Sequence, residues 1–304
     1  MISMMYSKIK SAKLIRFGSL ILVCVLVTAG CSPLKIVNAI VPEGNVIADA
    51  DHAYGSYPRQ KLDIYQPANA ETILPTIVFF YGGSWKRGNR LDYAFVGQAL
   101  ANQGFVVAVA DYRTYPDVKF PTFVDDAADA VAWISKNAAR FGGQSDDIHL
   151  IGHSAGAHIA AFLALDGSYL KNAGTDRSIL GRWVGLAGPY AFYPSQVRSV
   201  RDIFADTPED QARPITFADA GTPPALLLHG ADDTTVLPKN STQLAKALRD
   251  VGVKAHAFMY DGVGHAPMVL SLSPPFTGIA PTLNYATAFF KTGKVPVKTI
   301  EASR

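Results

Sequence analysis

Ser154 lies in the run Gly152, His153, Ser154, Ala155, Gly156, where a β-branched and apolar stretch beginning at Ile148 passes directly into an alanine-rich segment. That pattern predicts a strand, a sharp turn and a helix, with the serine on the turn. A serine hydroxyl at its free pKa is a weak nucleophile, so chemistry at Ser154 requires an exposed Oγ, a base beside it and donors for an oxyanion. Glycines two before and two after the serine let strand and helix approach closely and lift the side chain to the end of a sheet. An alanine- and glycine-rich turn that merely packs has the same composition, so the rest of the chain must discriminate.

A base and a carboxylate that orients it must come from other strand ends. Of the seven histidines, His52 falls in a stretch that reads as a tether, His149 lies inside the strand before Ser154, and His256 lies inside a later strand. His153 points away from its neighbour if the turn is tight, and His158, one turn along the helix, faces packing more readily than the hydroxyl. His229 ends a strand but is followed by Gly230, and reads as structural. His265 follows the last strand in a Gly262, Val263, Gly264 loop that can carry an imidazole over the sheet edge; a surface histidine is the competing reading. For the carboxylate, Asp233 is preferred to Asp232, since one aspartate of the pair can hold the His265 Nδ1–H while the other bonds the loop backbone. The order serine, aspartate, histidine follows.

The elements that must position these residues alternate along the chain. Leu62, Ile64 and Tyr65 open a strand that ends at Pro67, and Ile73 to Tyr81 is apolar almost throughout, as in a strand covered on both faces. It runs into Gly82, Gly83, Ser84 and Trp85, where two glycines free the backbone to aim N–H groups at a charge, or simply make a turn. A helix from Leu91 to Asn102, a strand from Phe105 to Ala110 and a helix from Asp125 to Arg140 follow. The last has Val124, Ala127, Ala128, Val131, Ile134 and Ala138 at helical spacing, and Trp133 is expected to pack.

After the serine, strands are expected at Trp183 to Ala187, Ala225 to His229 and Lys254 to Tyr260, with helices at Lys239 to Val251 and Leu283 to Phe290. The less regular stretch from Gly188 to Phe217 begins with Pro189, Tyr190, Phe192 and Tyr193. Strands alternating with helices imply an α/β fold with a mostly parallel sheet flanked by helices on both faces, and ligands at the carboxyl ends of the strands. Trp85 and Tyr190 are the candidate substrate-pocket residues.

The N-terminus reads as a targeting segment. Lys8, Lys10, Lys13 and Arg16 precede an apolar run from Leu20 to Val27, shorter than the ~20 residues of a membrane span. Thr28, Ala29 and Gly30 then lead to Cys31, which resembles the lipobox of bacterial lipoproteins, with Thr28 in place of the usual leucine. That resemblance implies cleavage before Cys31, its lipidation and export to the cell envelope; Ser32 implies the outer membrane facing the periplasm in a Gram-negative cell. Ordinary secretion and an uncleaved anchor are the alternatives.

The expected organisation is a signal peptide over 1–30, a lipidated cysteine and tether over 31–54, a catalytic domain over 55–292 and a tail over 293–304. The 304 residues, 49% hydrophobic, suffice for a sizeable core in one domain. Without the first thirty residues the formal charge of +3 becomes 24 basic against 25 acidic, or −1, which gives no electrostatic case for nucleic acid. Cys24 lies in the signal segment and Cys31 at the lipid, so no thiol remains for a disulfide. No metal or other cofactor is expected: the histidines lack metalloprotease spacing and there is no cysteine cluster. Oligomeric state is left open.

Gly152 to Gly156, the glycine pair Gly82 and Gly83 after a strand, the His229, Gly230, Asp233, Val236 pattern and Gly264, His265 together resemble the α/β-hydrolases. Leu62, Asp63, Ile64, Tyr65, the Asp111, Tyr112, Arg113 turn and the Ser154 to His158 run resemble, more narrowly, the BD-FAE-like carboxylesterases, neighbours of the hormone-sensitive-lipase-like esterases, kynurenine formamidases and isoprenylcysteine methylesterases. The resemblance covers roughly Tyr54 to Lys291. It implies a Ser154, Asp233, His265 triad, an oxyanion hole from the N–H groups of Gly82, Gly83 and Ala155, and hydrolysis of small or medium esters through an acyl-enzyme. Tyr81 stands where these families usually have histidine, which implies altered support for the glycine loop. An amidase or peptidase of the same fold, and a membrane-tethered binding protein without turnover, are the competing readings.

Overall fold

The computed structural model describes residues 33–42 and 44–296. The chain divides into two compact units, residues 1–40 and residues 41–304. Of the first unit, the described part is one short helix, α1 (Pro33–Ile40). The signal segment and Cys31 lie outside the described residues.

The second unit is built on an eight-stranded sheet. Its strands are β1 (Val46–Ala53), β2 (Lys61–Pro67), β3 (Leu74–Phe80), β4 (Val106–Ala110), β5 (Gly143–His153), β6 (Leu180–Leu186), β7 (Ala225–Gly230) and β8 (Ala255–Tyr260), in the spatial order β1-β2-β4-β3-β5-β6-β7-β8. The β1/β2 and β2/β4 pairs are antiparallel and all others parallel. All of β4 and β7, and β5 from Ile148 onward, are buried, because helices cover both faces.

Between the strands run α2 (Ala94–Ala101), α3 (Thr122–Asn137), α4 (Ala155–Leu165), α5 (Gly167–Asn172) and α6 (Lys239–Asp250), and α7 (His265–Leu270) and α8 (Thr282–Thr292) follow β8. The apolar spacing seen in the sequence is the buried face of α3, which takes in Val124, Ala127, Ala128, Val131 and Ile134. Helix α4 is buried along its whole length, consistent with a segment apolar on every side.

Three boundaries differ from those expected. Residues 46–53, taken as tether, form the edge strand β1: most of its side chains are exposed, so apolar alternation is missing, and the element is held by its backbone ladder to β2. His52 therefore sits on a strand, with its ring 5.5 Å from that of Trp133 and 5.2 Å from that of Phe141. Strand β5 begins at Gly143 rather than Ile148: Gly143 pairs with Leu74, and the polar, less buried residues 144–147 form an irregularity before regular pairing resumes at Ile148. His265 opens a helix instead of lying in a free loop, and Val263 before it is buried.

Parallel pairing brings the carboxyl ends of β3, β5, β6, β7 and β8 to one edge. Phe80 is in register with Gly152, His153 with Leu186, Leu186 with Leu228, and Gly230 with Tyr260. The five connections that leave these strands therefore start within a residue or two of one line.

Candidate active site

Ser154 occupies the turn between β5 and α4 with φ 55° and ψ −119°, a conformation that costs a non-glycine residue roughly 1–3 kcal/mol. Its N–H donates to the carbonyl of Leu186 at 2.9 Å, which pins the turn to the neighbouring strand end. The flanking glycines are required by close approach. A Cβ on Gly152 would run into the carbonyl of Gly156, and one on Gly156 into the carbonyl of Phe80.

Above this turn three side chains form one hydrogen-bonded line. His265 Nε2 is 2.8 Å from Ser154 Oγ, and His265 Nδ1 is 2.7 Å from Asp233 Oδ2. A carboxylate can only accept, so Nδ1 carries the hydrogen and Nε2 presents its lone pair to the serine hydroxyl. Asp233 Oδ1 accepts the N–H groups of Thr235 and Val236, both at 2.9 Å. Asp232 is exposed and bonds the loop backbone through its N–H, donating to Val263 at 3.1 Å. The structure thus brings Ser154, His265 and Asp233 together and leaves Asp232 aside.

Charge at this line is set by burial and by donors. Burial raises the Asp233 pKa, but hydrogen bonds from His229 and His265 and the Val236 N–H outweigh it, holding the carboxyl well below the usual carboxylate range. His229 is wholly buried, with Nε2 2.8 Å from the Val236 carbonyl and Nδ1 2.7 Å from Ser241 Oγ. It braces the Asp233 loop.

His153 has a place the sequence reading did not foresee. Its Nε2 lies 3.2 Å from the backbone carbonyl of His265, and the two rings sit 4.9 Å apart. Burial, with His265 nearby, lowers its pKa to about 3, so it stays neutral and donates to that carbonyl. The only sequence signal was its position beside Ser154 at a buried strand end. His158 is packed, as expected: its ring lies 4.9 Å from that of Trp85, and Nε2 meets the Ala212 carbonyl at 3.1 Å.

Gly82 runs beside the serine, such that a Cβ built on it would be 3.0 Å from Ser154 Cβ. The Gly83 carbonyl folds back to accept the N–H groups of Lys86 and Arg87 at 3.1 and 3.2 Å. Ala155 is the first residue of α4, where N–H groups have no acceptor within the helix. Tyr81 supports this loop from beneath. Its buried hydroxyl donates to Asp111 Oδ1 at 2.6 Å and accepts from Arg59 Nη2 at 3.0 Å, and its ring stacks between Tyr93 and Tyr112. Asp111 is in turn held by Arg90 Nη1 at 2.7 Å, and Arg90 Nε bonds Asp63 at 2.8 Å.

A cleft of about 570 Å³ opens at Ser154 and Ala155, lined by Trp85, Phe192, Tyr193, Val197 and Val200 among others. Trp85 stands where it was expected, its ring stacked 6.0 Å from that of Phe192. Tyr190 does not line the cleft. It is fully buried, its ring packed 6.1 Å from that of Trp183 and its hydroxyl in the space left by the missing side chains of Gly185 and Gly188. Gly185 within β6 and Gly188 after it leave room for that ring in the core, and Phe192 and Tyr193 line the cleft instead.

Comparison with known proteins agrees with this architecture. Residues 62–179 match the BD-FAE family. The chain is 31% identical over 239 residues to the isoprenylcysteine alpha-carbonyl methylesterase ICME of Arabidopsis thaliana, covering 71% of this chain and 56% of that protein. It is 31% identical over 240 residues to the esterase LipC of Mycobacterium tuberculosis, covering 70% of this chain and 58% of that one. The chain thus spans little more than half the length of these relatives. A truncated carbohydrate esterase from gut microbiota superposes with a TM-score of 0.70 at 22% identity, over 81% of this chain and 95% of that one, a likeness of fold. By its family match, its relatives and its mostly parallel sheet, this chain belongs to the α/β-hydrolase carboxylesterase family.

Proposed function

We propose that the protein hydrolyses carboxylic esters of small or medium size through an acyl-enzyme on Ser154. The observation that carries this reading is the continuous line from Ser154 Oγ through His265 to Asp233, at 2.8 and 2.7 Å. Relatives named as methylesterase and esterase support it.

In this mechanism Ser154 Oγ attacks the ester carbonyl carbon while His265 Nε2 takes the hydroxyl proton. Asp233, ionised and fixed by two backbone N–H groups, holds the ring in the productive tautomer and stabilises the imidazolium. N–H groups of Gly82, Gly83 and Ala155 are assigned to the oxyanion, each such donor being worth on the order of 10² to 10³ in rate. The C–O bond to the alcohol then breaks, with His265 returning the proton to the leaving oxygen. Water, deprotonated by the same nitrogen, attacks the acyl carbon, the C–O bond to Ser154 Oγ breaks as His265 returns the proton to that oxygen, and the acid leaves.

The purified protein is expected to release p-nitrophenol from p-nitrophenyl butyrate, and Ser154→Ala to lower that rate by about 10⁴ or more. Turnover undiminished in the variant removes Ser154 from the role, and a matched anilide tests the amidase reading beside it. A lipid on Cys31 is proposed to tether the enzyme to the envelope membrane, supported by the small residues before that cysteine. Incorporation of labelled palmitate that persists in Cys31→Ala contradicts the tether.

A further inference from the structure

The cleft at Ser154 joins an apolar wall to a cationic one. Trp85, Phe192 and Val197 make the first, while Arg213 and Lys239 also line it, and none of its lining residues is an aspartate or glutamate. Arg213 forms no ion pair among the described residues. One Nη2 hydrogen donates to the Ala191 carbonyl at 3.2 Å, the guanidinium lies 3.9 Å from the centre of the Tyr193 ring, and Nε is buried with no hydrogen-bond partner within the protein.

Glu209 accepts from the Ser195 hydroxyl and N–H, and Asp233 is committed to His265 and two N–H groups. A guanidinium has five donors in a rigid planar fork matched to a carboxylate, and stacking on an aromatic ring fixes its orientation before a ligand arrives. A half-buried, oriented cation without an ion-pair partner, lining the same cleft as Ser154, is poorly explained by stability, because a partly desolvated charge is costly until it is paired.

We infer that the cleft selects esters carrying a carboxylate remote from the scissile carbonyl, with that carboxylate on Arg213, Lys239 adding to the positive field, and the apolar body of the substrate against Trp85 and Phe192. This inference rests on the esterase reading of Ser154. It makes Arg213 a specificity residue and predicts that the natural substrate is a half-ester or an acylated aromatic or aliphatic acid.

Two matched pairs of esters test it in the intact protein. On the acyl side, p-nitrophenyl hydrogen adipate is compared with p-nitrophenyl hexanoate; on the alcohol side, 4-acetoxybenzoate is compared with 4-tolyl acetate. In at least one pair the wild type is expected to show the higher kcat/KM for the anionic member. Arg213→Gln is expected to lower the ratio of anionic to neutral kcat/KM by about tenfold or more, and Arg213→Lys, which keeps the charge and loses the fork, to fall between. The neutral member of each pair reports folding and an intact nucleophile. Neutral esters hydrolysed with no anionic preference in either pair, or a preference that survives Arg213→Gln, overturn the inference and leave the esterase reading standing. Failure of the wild type on all four esters ends both.

Discussion

Asp233 is buried, yet its carboxyl is held well below the usual carboxylate range by the His229, His265 and Val236 donors that face it. It therefore remains an anion near neutral pH, and its proposed role is to fix which nitrogen of His265 faces the serine. Asp233→Asn preserves the shape and removes this control, so kcat is expected to fall by about 10⁴ while KM moves little. Steady-state kinetics on p-nitrophenyl butyrate measure this, and a loss under tenfold contradicts the role. The residue types that meet here were legible in the sequence, because glycine spacing around Ser154 and a histidine after the last strand carry local chemical meaning. Tyr190 and His153 were not legible. Whether an aromatic ring after Gly188 turns to the cleft or the core depends on the space that Gly185 leaves in the buried strand β6, and the contact of His153 with the His265 carbonyl joins the end of β5 to the start of α7, 112 residues away.

At the scale of elements, β5 and α4 carry histidines kept neutral by burial. The pKa of His149 is lowered to about 4, and those of His153 and His158 to about 3, in each case by burial first. The unfolded chain takes up protons at these sites below about pH 6.5, whereas the folded chain does not until far lower. Between those limits acid favours the unfolded chain, so stability is expected to fall from pH 7 to pH 4, each such histidine adding a slope of up to about 1.4 kcal/mol per pH unit. Urea denaturation at stepped pH measures it, and His158→Phe is expected to flatten the slope by one proton; a midpoint constant across this range contradicts the account. The same two elements show what pattern reading catches. A mostly apolar run such as Ile148 to His153, or the alanine-rich α4, announces itself, whereas β1 does not. An edge strand with exposed aspartates is held by main-chain hydrogen bonds, which leave no trace in side-chain type.

For the molecule as a whole, alternation of apolar strands with helices predicted a mostly parallel sheet, and the sheet from β4 to β8 has that form. The order of the strands was not readable, since β3 lies between β4 and β5 through pairings between distant segments. Yet that order is what makes the site: with β3, β5, β6, β7 and β8 ending on one edge, the glycine loop, the serine, the aspartate and the histidine converge without any two being sequence neighbours. In the proposed mechanism this convergence turns one hydroxyl into a nucleophile through His265. Reaction of the folded protein with a fluorophosphonate, followed by peptide mapping, tests it most directly. A single adduct on Ser154 is expected in the wild type and its loss in His265→Ala; an adduct on another residue, or undiminished labelling of Ser154 in that variant, contradicts the mechanism.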